Sequence, residues 1–271
     1  MSIRNLHDLG TRLYCLDINL TRHCNLKCRY CSAMANVCKP QIYEYDKVLN
    51  DIDTLLNNGM KIRCITLTGG EPLLYPRLIE LIYKIRENLP KITLNIFSNL
   101  KSFLKQKEEF YKCLQDCKVN ITYTKYNYSE IDYEKVKAKC KEIGIVFQCI
   151  KKVSKIMPEY IEEFGKEPLS LNINGRPLQD KFHHCPYTCP FMWNSKIYMC
   201  HKSYSWDIMN DLYGTNFKEE ENGALDINNY TNEIYLKWLF KSFEFCKYCH
   251  NVGRTSMKWC TEKGQKEDYM Q

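Results

Sequence analysis

The chain has no run of about 18 apolar residues, the length a spanning helix needs. Its first ten residues, MSIRNLHDLG, hold neither an apolar stretch nor a cleavage-site pattern. Neither membrane insertion nor export is expected, so the expected compartment is the cytoplasm. Low-complexity tracts are missing, as is any long internal repeat beyond a strand–helix unit. No charge is in great excess either. The 39 Lys and Arg against 32 Asp and Glu leave +7, with Lys and Glu scattered along the whole chain. That pattern reads as a solvated surface, so neither a nucleic-acid nor a membrane partner is expected. Small anionic substrates remain compatible with it.

Cysteine is abundant, with sixteen in 271 residues. A reducing compartment argues against disulfides, so the clustered cysteines point to metal or cluster ligation. Scattered ones such as Cys64, Cys140 and Cys149 read as small buried hydrophobes. Cys113 and Cys117 share one helix face and read as core. At 44% hydrophobic and 26% charged the chain should fold, and its length suits one large domain or a domain with an appendage.

Hydrophobic periodicity alternates through the first half. Strands are predicted at 13–20, 61–67, 91–97, 118–123 and 145–150, and helices at 43–58, 76–88, 103–117 and 131–143. Strand–helix alternation through five strands predicts an α/β fold with a parallel sheet and crossover helices. Beyond Val153 the rhythm breaks. A short helix at 157–164 and a weak sixth strand at 169–173 are expected. From Arg176 onward Cys, His, Tyr and Trp accumulate without a clean period. The expected organisation is a first domain over 1–170 and a small cysteine-rich α+β domain over 171–271.

Two motifs stand at the carboxyl end of the predicted sheet, where such folds carry their sites. TRHCNLKCRYC puts Cys24, Cys28 and Cys31 in a loop after the first strand. Three thiolates can hold three irons of a 4Fe–4S cluster and leave the fourth open. A zinc knuckle with a distant fourth ligand is the alternative. TGGEP follows the second strand, where Gly69 and Gly70 permit a sharp turn and close backbone approach and Glu71 supplies a carboxylate.

With this pair of motifs, the sequence resembles the radical S-adenosylmethionine (radical SAM) superfamily over roughly residues 13–150. The resemblance implies a partial (β/α) barrel of about five to six parallel strands. It implies that Cys24, Cys28 and Cys31 ligate a 4Fe–4S cluster whose open iron chelates S-adenosylmethionine. Gly69, Gly70 and Glu71 would then face the methionine amino group, and Tyr30 would pack near the adenine. Ser98 and Asn99, at the end of the third strand, would make a polar contact to the cofactor. A low-potential electron donor, a reductase or a flavodoxin or ferredoxin, is implied as a partner.

The second half is similar to the twitch or shortened SPASM appendage of that superfamily, which binds an auxiliary 4Fe–4S cluster. Cys200, Cys246 and Cys249 match that pattern, with Cys185 favoured over Cys189 as the remaining ligand. Ser195 stands where the pattern has a glycine. A structural zinc site, using four cysteines or three plus one of His183, His184, His201 and His250, stays open. Trp193, Trp206, Trp238 and Trp259 are expected to shield a cluster or form a small core. Tyr123, Tyr126 and Tyr128 follow the fourth strand and either line the substrate pocket or pack the loop.

The short segment before the first strand and the lack of a separate peptide-recognition module point to the small dehydrogenases of this superfamily. The expected reaction oxidises a C–OH of a sugar or aminocyclitol, with Lys125 as a candidate base. An epimerase using Cys260 or Cys189 as hydrogen donor, or a peptide-modifying maturase, is the alternative. A non-catalytic iron–sulfur or zinc protein is a more distant one.

Overall fold

The computed structural model describes residues 14–126, 130–149, 163–166, 169–171, 190–249 and 255–270. The first half builds β1 (Cys15–Asn19), α1 (Tyr45–Asn57), β2 (Cys64–Thr68), α2 (Leu78–Asn88), β3 (Thr93–Ser98), α3 (Glu108–Asp116), β4 (Val119–Tyr123), α4 (Tyr133–Glu142) and β5 (Phe147–Cys149). All five strands pair in parallel and in sequence order, each connected by a helix. Alternation turns Leu16 and Ile18 of β1, Ile65 and Leu67 of β2, and Leu94 and Ile96 of β3 into the core. The helices answer with apolar stripes at helical spacing: Val48, Ile52 and Leu55 on α1, and Leu78, Leu81, Ile82 and Ile85 on α2. Each such side chain contributes about 1.5–3 kcal/mol on burial. The result is a partial (β/α) barrel.

The helix expected at 103–117 is split. Residues Phe103–Lys105 form a 3-10 turn, and α3 starts only at Glu108. Phe103 turns inward against Phe110, and the Tyr111 hydroxyl donates to the Phe103 carbonyl at 2.8 Å. That bond closes the turn and stops the helix from running through it.

The second half continues with β6 (Glu163–Lys166), β7 (Phe191–Trp193), β8 (Lys196–Tyr198), α5 (His201–Tyr204), α6 (Trp206–Tyr213), β9 (Leu225–Asp226), α7 (Asn232–Phe240), β10 (Thr255–Lys258) and α8 (Lys266–Tyr269). β7 pairs in parallel with the free edge of β1, Asp17 facing Phe191. β8 and β9 then add antiparallel, giving an order among the described residues of β5-β4-β3-β2-β1-β7-β8-β9. One core cluster runs from Leu16 through Ile197 to Trp238, across the boundary expected near 170. Of the strand expected at 169–173, the described residues 169–171 form no strand. Leu169 makes only single bridges to Cys249 and Met270, and 172–173 lie outside the described residues. Residues 157–162 of the expected helix also lie outside them. Phe164 belongs to β6, a strand antiparallel to β10. No helix among the described residues is long and apolar enough to cross a membrane.

Candidate active site

The carboxyl ends of β1, β2 and β3 converge on one buried group. Glu71, three residues past β2, is 0% exposed. Its Oε1 accepts from Ser98 Oγ at 2.7 Å and from the Leu73 amide at 3.1 Å. Its Oε2 accepts from the Asn99 amide at 2.8 Å. Burial pushes its pKa up to about 7, with the three donors pulling the other way.

The two glycines before it make a close approach to the chain itself. Gly70 N–H donates to the Thr21 carbonyl at 2.6 Å and Glu71 N–H to the His23 carbonyl at 2.9 Å. A Cβ on Gly69, whose φ is +132°, would lie 2.5 Å from the Thr21 oxygen; one on Gly70 would lie 2.3 Å from the His23 oxygen. The TGGEP turn is thus zipped to the start of the cysteine loop.

Asn99 extends the network. Its Nδ2 donates to Asn25 Oδ1 at 2.9 Å and lies 3.6 Å from Cys24 Sγ, and Asn25 Nδ2 reaches Ser102 Oγ at 2.7 Å. Cys24, Cys28 and Cys31 gather with Leu26, Tyr126 and Trp259 in a small separate cluster. Burial raises the pKa of all three thiols. The charges of Glu71, Cys31 and Cys28 raise Cys24 further, and Cys31 also raises Cys28, to about 12. A donor set of this kind is stable as thiolates against a strongly cationic centre, and an iron–sulfur core supplies one. Among the described residues no three His, Cys, Asp or Glu side chains close on a point as around one ion.

Tyr30 is buried, its ring 5.4 Å from the Arg29 guanidinium, in the field of Asp268, Cys260 and Glu262. Lys125 lies past the end of β4 with its ammonium 5.6 Å from the Tyr133 ring. Tyr123 stacks on Phe147 at 4.3 Å, in the core; Tyr128 lies outside the described residues. Cys200 caps α5, and Cys246 and Cys249 sit on and just after a 3-10 turn at Glu244–Tyr248. Cys185, Cys189, His183, His184 and His250 lie outside the described residues. His201 stacks on Phe191 at 4.3 Å, and burial lowers its pKa to about 4.

Sequence reasoning missed Arg22. Its guanidinium lies 4.2 Å from the Tyr204 ring centroid and 5.5 Å from that of Trp193. Nη1 meets Asp207 Oδ2 at 2.6 Å and Nε donates to the Tyr204 hydroxyl at 2.8 Å. This buried cation ties the entrance of the cysteine loop to β7, α5 and α6. It also lines a cavity of about 450 Å³ with Gln41, Trp193, Tyr198, Trp206 and Asp207. The only sequence signal was an arginine two residues before the first cysteine, in a chain whose tryptophans all fall in its second half.

Fold and site together define an α/β protein with three clustered thiols and a buried carboxylate at the carboxyl edge of its parallel strands. Residues 18–174 match the radical SAM superfamily, so the chain belongs to that superfamily, whose members use a 4Fe–4S cluster and S-adenosylmethionine. The GTP 3',8-cyclase of Streptomyces coelicolor is 30% identical over 87 residues, 31% of this chain and 25% of that protein. A UPF0026 protein of Helicobacter pylori is 30% identical over 146 residues, 50% of this chain and 45% of that protein. The chain therefore spans less than half the length of these relatives. Among solved structures, BtrN in complex with AdoMet and 2-DOIA gives a TM-score of 0.49 at 14% identity, covering 94% of this chain and 97% of that one. The anSMEcpe structure with bound AdoMet gives 0.47 at 15% identity, covering 87% and 82%.

Proposed function

We propose that Cys24, Cys28 and Cys31 hold the 4Fe–4S cluster and that S-adenosylmethionine binds beside them near Glu71, for dehydrogenation of a C–OH in a small polar substrate such as a sugar or aminocyclitol. The observation that carries the cofactor reading is Glu71, a buried carboxylate fixed by three donors within the electrostatic reach of Cys24. When bound, cluster and S-adenosylmethionine supply one-electron cleavage of the sulfonium and a 5′-deoxyadenosyl radical that takes a hydrogen atom from substrate.

The chain's own residues do the positioning. Both Glu71 oxygens already accept hydrogen bonds, so the carboxylate acts on a methionine ammonium chiefly through its charge and through the Ser98–Asn99 backbone it fixes. Gly69 and Gly70 bring their carbonyls to the same edge. Asn99 and Asn25 brace the loop that carries Cys24. Tyr30 packs near the adenine. Lys125 Nζ takes the proton of a hydroxyl acidified by an adjacent radical carbon.

The dehydrogenase reading rests on electron count. Removing a hydrogen atom and then a proton leaves one electron to be accepted. An auxiliary cluster on Cys185, Cys200, Cys246 and Cys249 is the proposed acceptor.

Anaerobic reconstitution tests the assignment. The chain should hold about eight irons as two 4Fe–4S clusters, and replacing Cys24, Cys28 and Cys31 by Ala should leave about half. With dithionite and S-adenosylmethionine the intact enzyme should release 5′-deoxyadenosine and the triple variant none. Iron for one cluster together with tightly bound zinc would remove the auxiliary acceptor, and with it the dehydrogenase reading.

A further inference from the structure

The cavity beside Arg22 has none of the cysteines, glycines or Glu71 of the proposed cofactor site among its lining residues. Its walls come from distant stretches of chain: Gln41 to Glu44 before α1, the hairpin of β7 and β8, and the start of α6. At about 450 Å³ it has the size of a small-molecule site.

Three of its lining residues are aromatic: Trp193, Tyr198 and Trp206. Two of these rings are fixed from behind. Trp193 stands edge-on to Tyr43 at 5.4 Å, and Tyr198 edge-on to Tyr204 at 5.3 Å. Trp193 already accepts one cation, the Arg22 guanidinium, 5.5 Å from its ring centroid.

The charges at the wall are uneven. Two cations, Arg22 and Lys196, face three carboxylates, Glu44, Asp207 and Glu219. Both cations are engaged: Arg22 Nη1 with Asp207 Oδ2 at 2.6 Å, and Lys196 with Glu219. Glu44 stands exposed with no ion pair among the described residues, and its side chain makes no cap hydrogen bond to α1. Asp207 Oδ1 is buried without a hydrogen-bond partner there. An anion entering this cavity would meet three carboxylates and no uncommitted cation. A neutral apolar molecule would leave the buried Asp207 oxygen unanswered, which is costly. A cation with an apolar body satisfies the rings and the carboxylates together.

We propose that this cavity binds a small organic ammonium, a protonated amine on a ring or short chain. Its body lies against Trp193, Tyr198 and Trp206, and its charge is met by Asp207 and Glu44. The site is distinct from that of S-adenosylmethionine, and the proposal does not depend on which residues hold a cluster.

Three probes with one ring and different heads test it: cyclohexylamine, cyclohexanol and cyclohexanecarboxylate. Each is titrated at neutral pH into the full chain, anaerobically reconstituted, by calorimetry and by tryptophan fluorescence. Cyclohexylamine should bind saturably and about tenfold or more tighter than cyclohexanol, and the carboxylate should not bind. Glu44→Gln removes an exposed charge without touching the Arg22 anchor and should weaken the amine about threefold. Trp206→Leu keeps an apolar wall, deletes the π face and should weaken it about three- to tenfold. Where Trp206→Leu fails to fold, Glu44→Gln decides. Saturating S-adenosylmethionine, itself an ammonium, should leave the affinity for cyclohexylamine unchanged. Equal binding of the three probes, no saturable binding of the amine, or wild-type affinity in Glu44→Gln overturns the proposal. Displacement by S-adenosylmethionine overturns it too, because the amine would then occupy the cofactor's site.

Discussion

Glu71 places a carboxylate where water does not reach, and that burial disfavours its charged form. Its pKa stands at about 7 against an ordinary 4.5, raised first by burial. Between those values the folded chain holds more protons than the unfolded one, so stability falls as pH rises through the window and stays low above it. The loss is roughly 3 kcal/mol for an iron-free chain. In Glu71→Gln this fall disappears. Its stability relative to wild type should rise by about that amount between pH 5 and pH 8 in urea titrations, whatever constant offset the amide introduces. A pH-independent offset would mean that the carboxylate is already ionised at pH 5. Gly70 yields a second residue-scale prediction. A methyl there meets the His23 carbonyl oxygen at 2.3 Å, and backbone cannot step aside as a flexible side chain would. Gly70→Ala should cost about 3 kcal/mol, the upper end of overpacking penalties, and should lower iron loading because His23 precedes Cys24. Equal stability and loading would show that the turn can part from the loop.

At the scale of elements, the strands and helices of the first half were legible in the sequence, because each lies in a period the sheet imposes. β1 through β5 and α1, α2 and α4 fall within a few residues of their predicted bounds. The second half was less so. Strands β7 and β8 hold three residues each, too short for a period, and the parallel pairing of β7 with β1 joins residues more than 170 apart. Ser195 shows the same limit. The sequence marked it as a departure from a glycine, and the backbone keeps the glycine's conformation, with φ of +51° at Asn194 and +61° at Ser195, the turn a two-residue hairpin demands. Ser195 Oγ meets Asp51 Oδ1 and Oδ2 at 3.1 and 3.0 Å, its amide donates to the Tyr43 hydroxyl at 3.1 Å, and Lys47 joins them. Those partners lie on and before α1 and could not be read from position 195. Ser195→Gly relieves the left-handed strain and loses the hydroxyl, whereas Ser195→Ala keeps the strain and loses the same bond. The Ala variant should therefore be the less stable by roughly 1 kcal/mol in chemical denaturation, with wild type above both. A Gly variant no better than Ala would show that the left-handed turn costs nothing.

Across the whole molecule, the two ends of the described chain meet at the cysteine loop. Arg22 binds its entrance to α5 and α6 through Tyr204 and Asp207, and Arg29 binds its middle to the tail through Glu262 and Asp268. The first of these was not legible in the sequence, because Tyr204 and Asp207 lie 182 and 185 residues from Arg22. The second rests on Asp268, whose side chain is buried and also accepts from the Gln265 amide at 2.9 Å, closing the turn before α8. Asp268 therefore holds its own helix and the loop together, and the Cys260 carbonyl, next to Trp259, accepts from the Arg29 amide. Removing its charge by Asp268→Asn weakens the Arg29 contact while preserving size, and the tail should open more often without the barrel losing its core. The expected outcome is a protein that loads iron anaerobically as wild type does and melts within a few degrees of it. Its cluster absorbance should bleach several-fold faster on admitting air, and its C-terminal segment should be cut sooner in limited proteolysis, because both attacks sample the open form. Bleaching at the wild-type rate together with faster proteolysis would show that the tail opens without uncovering the cysteines. The cover over Cys28 would then belong to Tyr126 and Leu26.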